Sequence, residues 1–154
     1  MGLKLVMAVS ADGFVARGPT DDMTWTGSTD KRVFRLLTSV GGILGAGRRT
    51  FEQLPKLEGR TVVPLSRNGM TLTEFASRYP DAWLIGGQEV ALEALRSHLL
   101  DQAFLCRSRE VFLRFGIKDE ITPRLMRSPA WQQKPAICFA ETFVDVWENH
   151  EPWS

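Results

Sequence analysis

Short apolar runs alternate with polar, glycine-bearing breaks along the chain, and the spacing inside each run sets the element it predicts. Leu3 to Ser10 is almost continuously apolar, which fits a buried strand, and Ala11-Asp12-Gly13 stops it with a turn signal. Phe14-Val15-Ala16 follows, then Arg17-Gly18-Pro19-Thr20-Asp21-Asp22, a run of turn residues expected to form a mobile surface loop before Trp25 and a possible lid. A helix is predicted from Asp30 to Ser39. Ser28 and Thr29 suit the capping of its first amides, and Asp30 suits the positive end of its dipole. Positions four apart on a helix share a face, so Asp30 and Phe34 are expected to look the same way.

Gly42 to Ala46 predicts a short strand, and Gly47-Arg48-Arg49-Thr50-Phe51-Glu52-Gln53-Leu54 the start of a helix. Thr61 to Arg67 predicts another strand, in which Pro64 implies a bulge or an unpaired edge amide. A short helix is expected over Thr73 to Arg78, closed by Pro80-Asp81. Ala82 to Ile85 then predicts a buried strand running into Gly86-Gly87, and Gln88 to Leu100 a helix with Val90, Leu92, Leu95 and Leu99 available to pack. Ala103 to Cys106 is strand-like. Arg107 to Pro129 reads as a long loop with a short helix near Thr122 to Met126. From Trp131 to Trp147 one or two antiparallel strands are expected, with Val144 and Val146 alternating with Phe143, Asp145 and Trp147. Strands joined by helical crossovers and finishing in an antiparallel pair describe an α/β fold with a mixed sheet and ligand sites at its strand ends.

The length of 154 residues suits one domain over 1–154, and no low-complexity stretch divides it. A formal charge of +1, from 19 Lys+Arg against 18 Asp+Glu, provides no net field for nucleic acid or an anionic membrane, so neither is expected as a partner. Cys106 and Cys138 form no CxxC pair and read as buried thiols of a reducing compartment. No apolar run approaches a membrane span, and the first residues lack the flanks of a signal peptide; a cytoplasmic location is expected. His98 and His150 stand at no ligand spacing, so no metal is expected. Trp83 and Trp147 read as core, and Trp153 as a surface residue that docks or marks a contact.

Two kinds of chemistry are suggested by these patterns. A carboxylate at Asp30 beside an aromatic wall at Phe34 can hold a flat, nitrogen-rich ring through an amidine-like edge and a ring face. A strand that delivers Gly47, Arg48 and Arg49 to a helix start makes a phosphate cradle, although the same residues also suit a solvated basic turn. Gly86-Gly87 before a second helix has the same physics. Two such turns in one small domain suit one extended dinucleotide.

The chain resembles the dihydrofolate reductase superfamily over most of its length, from Leu5 to Leu105. Trp25, Asp30 and Phe34 are similar to the family's W-x4-D-x3-F substrate motif, and Gly47-Arg48-Arg49-Thr50-Phe51-Glu52 to its G-R-x-T-[FW]-E cofactor motif. Gly59-Arg60 with Leu65-Ser66-Arg67 is similar to G-R-x4-L-S-[RS], and Ile85-Gly86-Gly87 to its I-G-G turn. The resemblance implies a dihydrofolate reductase-like fold: a central mixed, mostly parallel sheet with flanking helices and an antiparallel C-terminal strand pair. It also implies NADPH as cofactor and reduction of 7,8-dihydrofolate to tetrahydrofolate by hydride transfer to the pterin C6. Asp30 and Trp25 would be catalytic; Val6, Met7, Asp30, Phe34, Leu54, Arg60 and Cys106 would meet a folate-like substrate, with Arg60 on the carboxylate of its tail. Ala8 and Val15 would offer backbone groups to the nicotinamide amide. Arg48, Ser66 and Arg67 would hold the 2′-phosphate and Thr50 would touch the cofactor phosphates. Gly86, Gly87 and Gln88 would cradle the pyrophosphate, with Gly47, Arg49, Leu65, Ile85, Glu89 and Val90 completing the cofactor site. A monomer is implied rather than a dimer.

Thr24 stands where the family has Pro, Gln88 where it has a third glycine, and Cys106 where it has Thr. Ser10-Ala11-Asp12-Gly13-Phe14-Val15-Ala16 and Ile43-Leu44-Gly45-Ala46-Gly47 are similar to the S-x-D-G-x-x-A and L-x-G-A-G runs of the reductase domain of riboflavin synthesis. That branch reduces a ribosylaminopyrimidine with NADPH. Arg60 and the Asp30 to Phe34 pairing match the folate branch. A non-catalytic nucleotide-binding module of the same fold is the competing class.

Overall fold

The computed structural model describes residues 2–18, 21, 24–39, 42–54, 57, 59–139 and 142–150, and the side chains of residues 24, 27–30 and 139 lie outside that description. Its elements follow in the order β1 (Leu3–Val9), β2 (Phe14–Ala16), α1 (Gly27–Leu37), β3 (Ile43–Gly47), α2 (Arg48–Gln53), β4 (Thr61–Leu65), α3 (Leu72–Arg78), β5 (Trp83–Leu84), α4 (Gln88–Arg96), β6 (Leu100–Ser108), β7 (Ile117–Lys118), α5 (Ile121–Arg127), β8 (Trp131–Phe139) and β9 (Thr142–Asn149). A seven-stranded sheet has the order β4-β3-β5-β1-β6-β9-β8, and β2 pairs with β7 in a separate ribbon. Neighbours from β4 to β6 are parallel, whereas β9 runs antiparallel to both β6 and β8. The fold is α/β with a mostly parallel mixed sheet, as the alternation of strand and helix patterns predicts.

Successive side chains of a strand point to opposite faces, and β1 shows both. Leu3, Leu5 and Val9 belong to a buried cluster with Phe75 of α3, Ala91 and Leu92 of α4, and Ile121 and Leu125 of α5. Val6 belongs to the other cluster, with Val33 of α1, Leu44, Trp83, Cys106, Val144 and Val146. Burial on both faces is why β1 reads as a continuous apolar run. The two sheet edges carry proline: Pro64 lies in edge strand β4, as expected of a residue with no amide to donate, and Pro135 in edge strand β8 beside a register shift between Lys134 and Ile137. Trp83 and Trp147 are core residues.

Several boundaries differ from expectation. Helix α1 begins at Gly27, because a 3-10 turn over Thr24–Thr26 delivers the chain already coiled; Ser28 and Thr29 therefore lie inside the helix, and its N-cap is Thr26, with no side-chain cap bond. Helix α4 stops at Arg96, short of Leu100: His98 takes a positive φ of 57° and the Leu99 amide turns back to the Ala94 carbonyl, a left-handed ending that releases Leu100 into β6. Strand β6 runs from Leu100 to Ser108, longer than its apolar centre, because it is paired along its length by β1 and β9. Within the span expected to be loop, Ile117–Lys118 forms β7 and the short helix is α5. Cys106 is buried, but Cys138 is exposed on edge strand β8. Pro19, Thr20, Asp22 and Met23 of the expected lid, and Trp153, lie outside the described residues. Among the described residues, no helix is long and apolar enough to cross a membrane.

Candidate functional site

Parallel strands all end on one edge of a sheet, and the loops leaving that edge carry most of the predicted cofactor residues. Gly47, the last residue of β3, pairs with Leu65, the last of β4, so Arg48-Arg49-Thr50 and Ser66-Arg67 leave the sheet side by side. Strand β5 lies between β3 and β1, with Gly45 paired to Leu84 on one side and Leu5 to Leu84 on the other. It therefore delivers Ile85-Gly86-Gly87 into the same row. The chain order reverses around this point, and such reversals leave a crevice at the carboxyl ends of the strands. Pairing between β5 and β1 ends at Leu5, so among the described residues β1 from Val6 to Val9 is paired only on its β6 side. Ala8 lies in that stretch.

The turn after β5 packs against the exit of β3. The Gly47 amide donates to the Gly86 carbonyl at 2.8 Å. A Cβ on Gly47 would stand 2.9 Å from Val90 Cγ2 and 3.5 Å from the Gly87 amide nitrogen, so the close approach requires glycine there. Gly86 has φ of +124° and is joined to Gly87 by a cis peptide bond. Thr50 Oγ1 lies 3.5 Å from where a Cβ on Gly87 would sit, so Gly47, Thr50, Gly86, Gly87 and Val90 form one contact group. Helix α4 starts there with Gly87 as N-cap, which supplies no side-chain acceptor for the first amides.

The charged residues around this turn are exposed. Arg48 Nε pairs with Glu52 at 3.1 Å on the solvent side of α2, an ion pair weak enough to exchange partners. Arg49 and Arg67 are exposed, and Ser66 heads a tight turn in which its amide donates to the Met70 carbonyl at 3.0 Å. Glu89 places an exposed carboxylate in the first turn of α4, opposing an anion at the same end. The Gln88 side chain is engaged elsewhere: its Nε2 donates to the Lys118 carbonyl at 2.7 Å, and its Oε1 accepts from the Glu120 amide at 2.8 Å. Of Gln88, only the backbone faces the role implied for it, while its amide group fastens the segment between β7 and α5 to α4.

The predicted ring residues divide between the two faces of the sheet. Phe34 packs with Val33, Val6 and Cys106 in one cluster, and the register that pairs Ala8 with Cys106 sets these residues beside the stretch of β1 beyond its pairing with β5. Met7 packs against the opposite cluster, so the side chains of Met7 and Val6 point to opposite faces of the sheet. Val15 is likewise buried in that opposite cluster. Leu54 is half-buried at the end of α2. Asp30 lies in the first turns of α1, and its side chain is outside the described residues.

Arg60 does more for α1 than its predicted role suggests. Its Nε donates to Thr38 Oγ1 at 3.1 Å and its Nη2 to the Arg35 carbonyl. Thr38 is fully buried, and its hydroxyl donates to the Phe34 carbonyl at 2.8 Å. Arg60 thus closes the end of the helix that carries Phe34, where cations are favoured by the helix dipole.

Two acids not assigned a role from sequence hold the surrounding loops. Asp21 accepts from the Trp25 indole Nε1 at 2.8 Å and from Arg17 through both backbone and side chain. Its signal was the spacing of four from Arg17 to Asp21 to Trp25. Asp12 accepts from Ser10 Oγ at 2.7 Å and from the amides of Leu113 and Arg114 at 3.1 and 2.8 Å. The Ser10 hydroxyl, chiefly, and those amides hold the Asp12 carboxyl below its usual range. The β1 to β2 turn and the segment after β6 are thereby tied together, and the Asp119 amide adds a bond to the Gly13 carbonyl at 2.8 Å. No family model matches the sequence, and no curated protein matches it.

Proposed function

We propose that the chain is an NADPH-dependent reductase of a dihydropterin ring, converting 7,8-dihydrofolate to tetrahydrofolate. The observation that carries this reading is the convergence of three distant segments, Gly47 to Thr50, Leu65 to Arg67 and Ile85 to Gly87, beside the stretch of β1 beyond its pairing with β5, whose Val6 belongs to the Phe34 cluster. NADPH, when bound, supplies the hydride for the pterin C6. The residues of the turn fit such a cofactor: the glycines leave room for a pyrophosphate against the first amides of α4, and Arg48, Arg67 and Ser66 suit a 2′-phosphate. Ala8 offers backbone groups to the nicotinamide amide. Asp30 anchors the ring edge through N3 and the 2-amino group, and Phe34, Val6 and Cys106 form its apolar wall, with Trp25 at the entry to α1. The protein's contribution is alignment and placed charge.

A ribosylaminopyrimidine in place of the dihydropterin is the second reading. It is favoured by Arg60, whose bonds to Thr38 and Arg35 at the end of α1 compete with a folate-tail carboxylate. NADPH consumption with each candidate substrate tests both: oxidation with dihydrofolate supports the first, oxidation with the ribosylaminopyrimidine alone supports the second, and tight NADPH binding with neither supports a non-catalytic module.

A further inference from the structure

We propose that Asp21 is a positioning residue that fixes the indole of Trp25 for the ring reduction described above, an inference that rests on that reading. The Asp21 side chain is only 1% exposed. A carboxylate that deep requires donors on both oxygens. Oδ1 accepts from Arg17 Nε at 3.1 Å and Nη2 at 2.9 Å, two charge-assisted bonds from one guanidinium edge that hold this oxygen. Oδ2 accepts from the Arg17 backbone amide at 2.6 Å and from Trp25 Nε1 at 2.8 Å.

The direction of causation follows from the donor chemistry. An indole nitrogen donates one hydrogen bond and accepts none, so the ring turns to wherever its acceptor is held. Arg17 follows the last residue of β2, and Trp25 stands in the 3-10 turn that enters α1. Asp21 therefore joins the end of one element to the start of the other, and the orientation of Trp25 is set from outside the ring's own helix. On that reading, a misplaced indole at the entry costs rate more than affinity, because the bound geometry, not the binding contact, is what changes.

The test uses the full chain labelled with fluorotryptophan, with the Trp25 fluorine resonance assigned by its loss in Trp25→Phe, alongside steady-state NADPH oxidation with dihydrofolate. In Asp21→Ala, and in the isosteric Asp21→Asn that offers a single acceptor oxygen, the Trp25 resonance is expected to move and broaden while the other tryptophan signals hold, which also shows that the fold persists. Turnover is expected to fall about tenfold with KM for NADPH changed less than about twofold. In the Trp25→Phe background, Asp21→Ala is expected to add less than about twofold. A Trp25 resonance that does not move, or the same loss of turnover in both backgrounds, overturns the assignment. A wild-type chain that turns over no dihydrofolate defeats the functional reading instead; the resonance then decides the positioning, with an unmoved signal refuting it and a displaced one sustaining it.

Discussion

The backbone amide of Gly47 donates to the carbonyl of Gly86 at 2.8 Å, joining the exit of β3 to the turn that precedes α4. The two segments are far apart in sequence, and this bond is where the proposed phosphate site closes. Gly47→Ala places a methyl group 2.9 Å from Val90 Cγ2, so Val90 and the start of α4 must give way. Overpacking of this kind costs about 1–3 kcal/mol. Urea denaturation is expected to show that loss, and fluorescence titration a weakening of NADPH affinity by about tenfold. Unchanged affinity in a destabilised protein would separate this contact from the cofactor.

Thr38 links Arg60 to the Phe34 carbonyl while fully buried. Thr38→Val keeps the shape and removes the hydroxyl, leaving both partners without it. A loss of about 1–3 kcal/mol is expected, read as a lower denaturation midpoint at constant slope. If the midpoint holds, Arg60 is not anchored through Thr38, and its bond to the Arg35 carbonyl remains as its tie to α1.

Asp12 gives a pH signature. Its folded carboxyl titrates below the ordinary aspartate value of 3.8, chiefly through the bond from Ser10, so its contribution to stability is present above that value and is lost as pH falls through the lowered folded value. Asp12→Asn is expected to melt earlier than wild type at neutral pH, with the gap in Tm narrowing below pH 3.8. A gap that stays constant into acid would remove Asp12's charge from the account.

Sequence patterning made the centre of the sheet legible because its central strands are covered on both faces, so Leu3 to Val9, interrupted only by Lys4, and Trp83 to Leu84 appear as apolar runs. Pro64 reported an edge strand for the same reason that proline is tolerated only there. The segments at the strand exits were legible because a side chain at Gly47 would press on Val90 and Gly86 adopts a positive φ. What escaped notice depends on tertiary pairing. β7 exists because β2 lies beside it, and no local pattern in Ile117–Lys118 announces that partner. Cys138 resembles a core thiol in composition but occupies an outer strand. The resemblance implies one role for Met7 and Val6, and the strand's alternation packs their side chains against different clusters. The role of Asp21 is not legible in the sequence because a carboxylate in a turn-rich loop is usually solvated, whereas this one is 1% exposed and accepts from Arg17 and Trp25.

Asp30→Asn tests the proposed ring anchor. An amide keeps the size of the carboxylate but cannot accept from both groups of the ring edge or assist the proton that follows the hydride. Turnover is expected to fall by about a hundredfold or more at neutral pH, and the limb of the pH profile governed by that carboxylate is expected to disappear. Unaltered turnover and profile would strip Asp30 of the role.

The central claim is that a nicotinamide and a dihydropterin meet in one crevice at the carboxyl ends of the parallel strands. NADPH carrying deuterium at both hydrogens of the nicotinamide C4, incubated with the protein and dihydrofolate, tests it most directly by mass spectrometry and NMR of the product. The account predicts tetrahydrofolate labelled at C6. Unlabelled product, or NADPH left intact while dihydrofolate is bound, would contradict it.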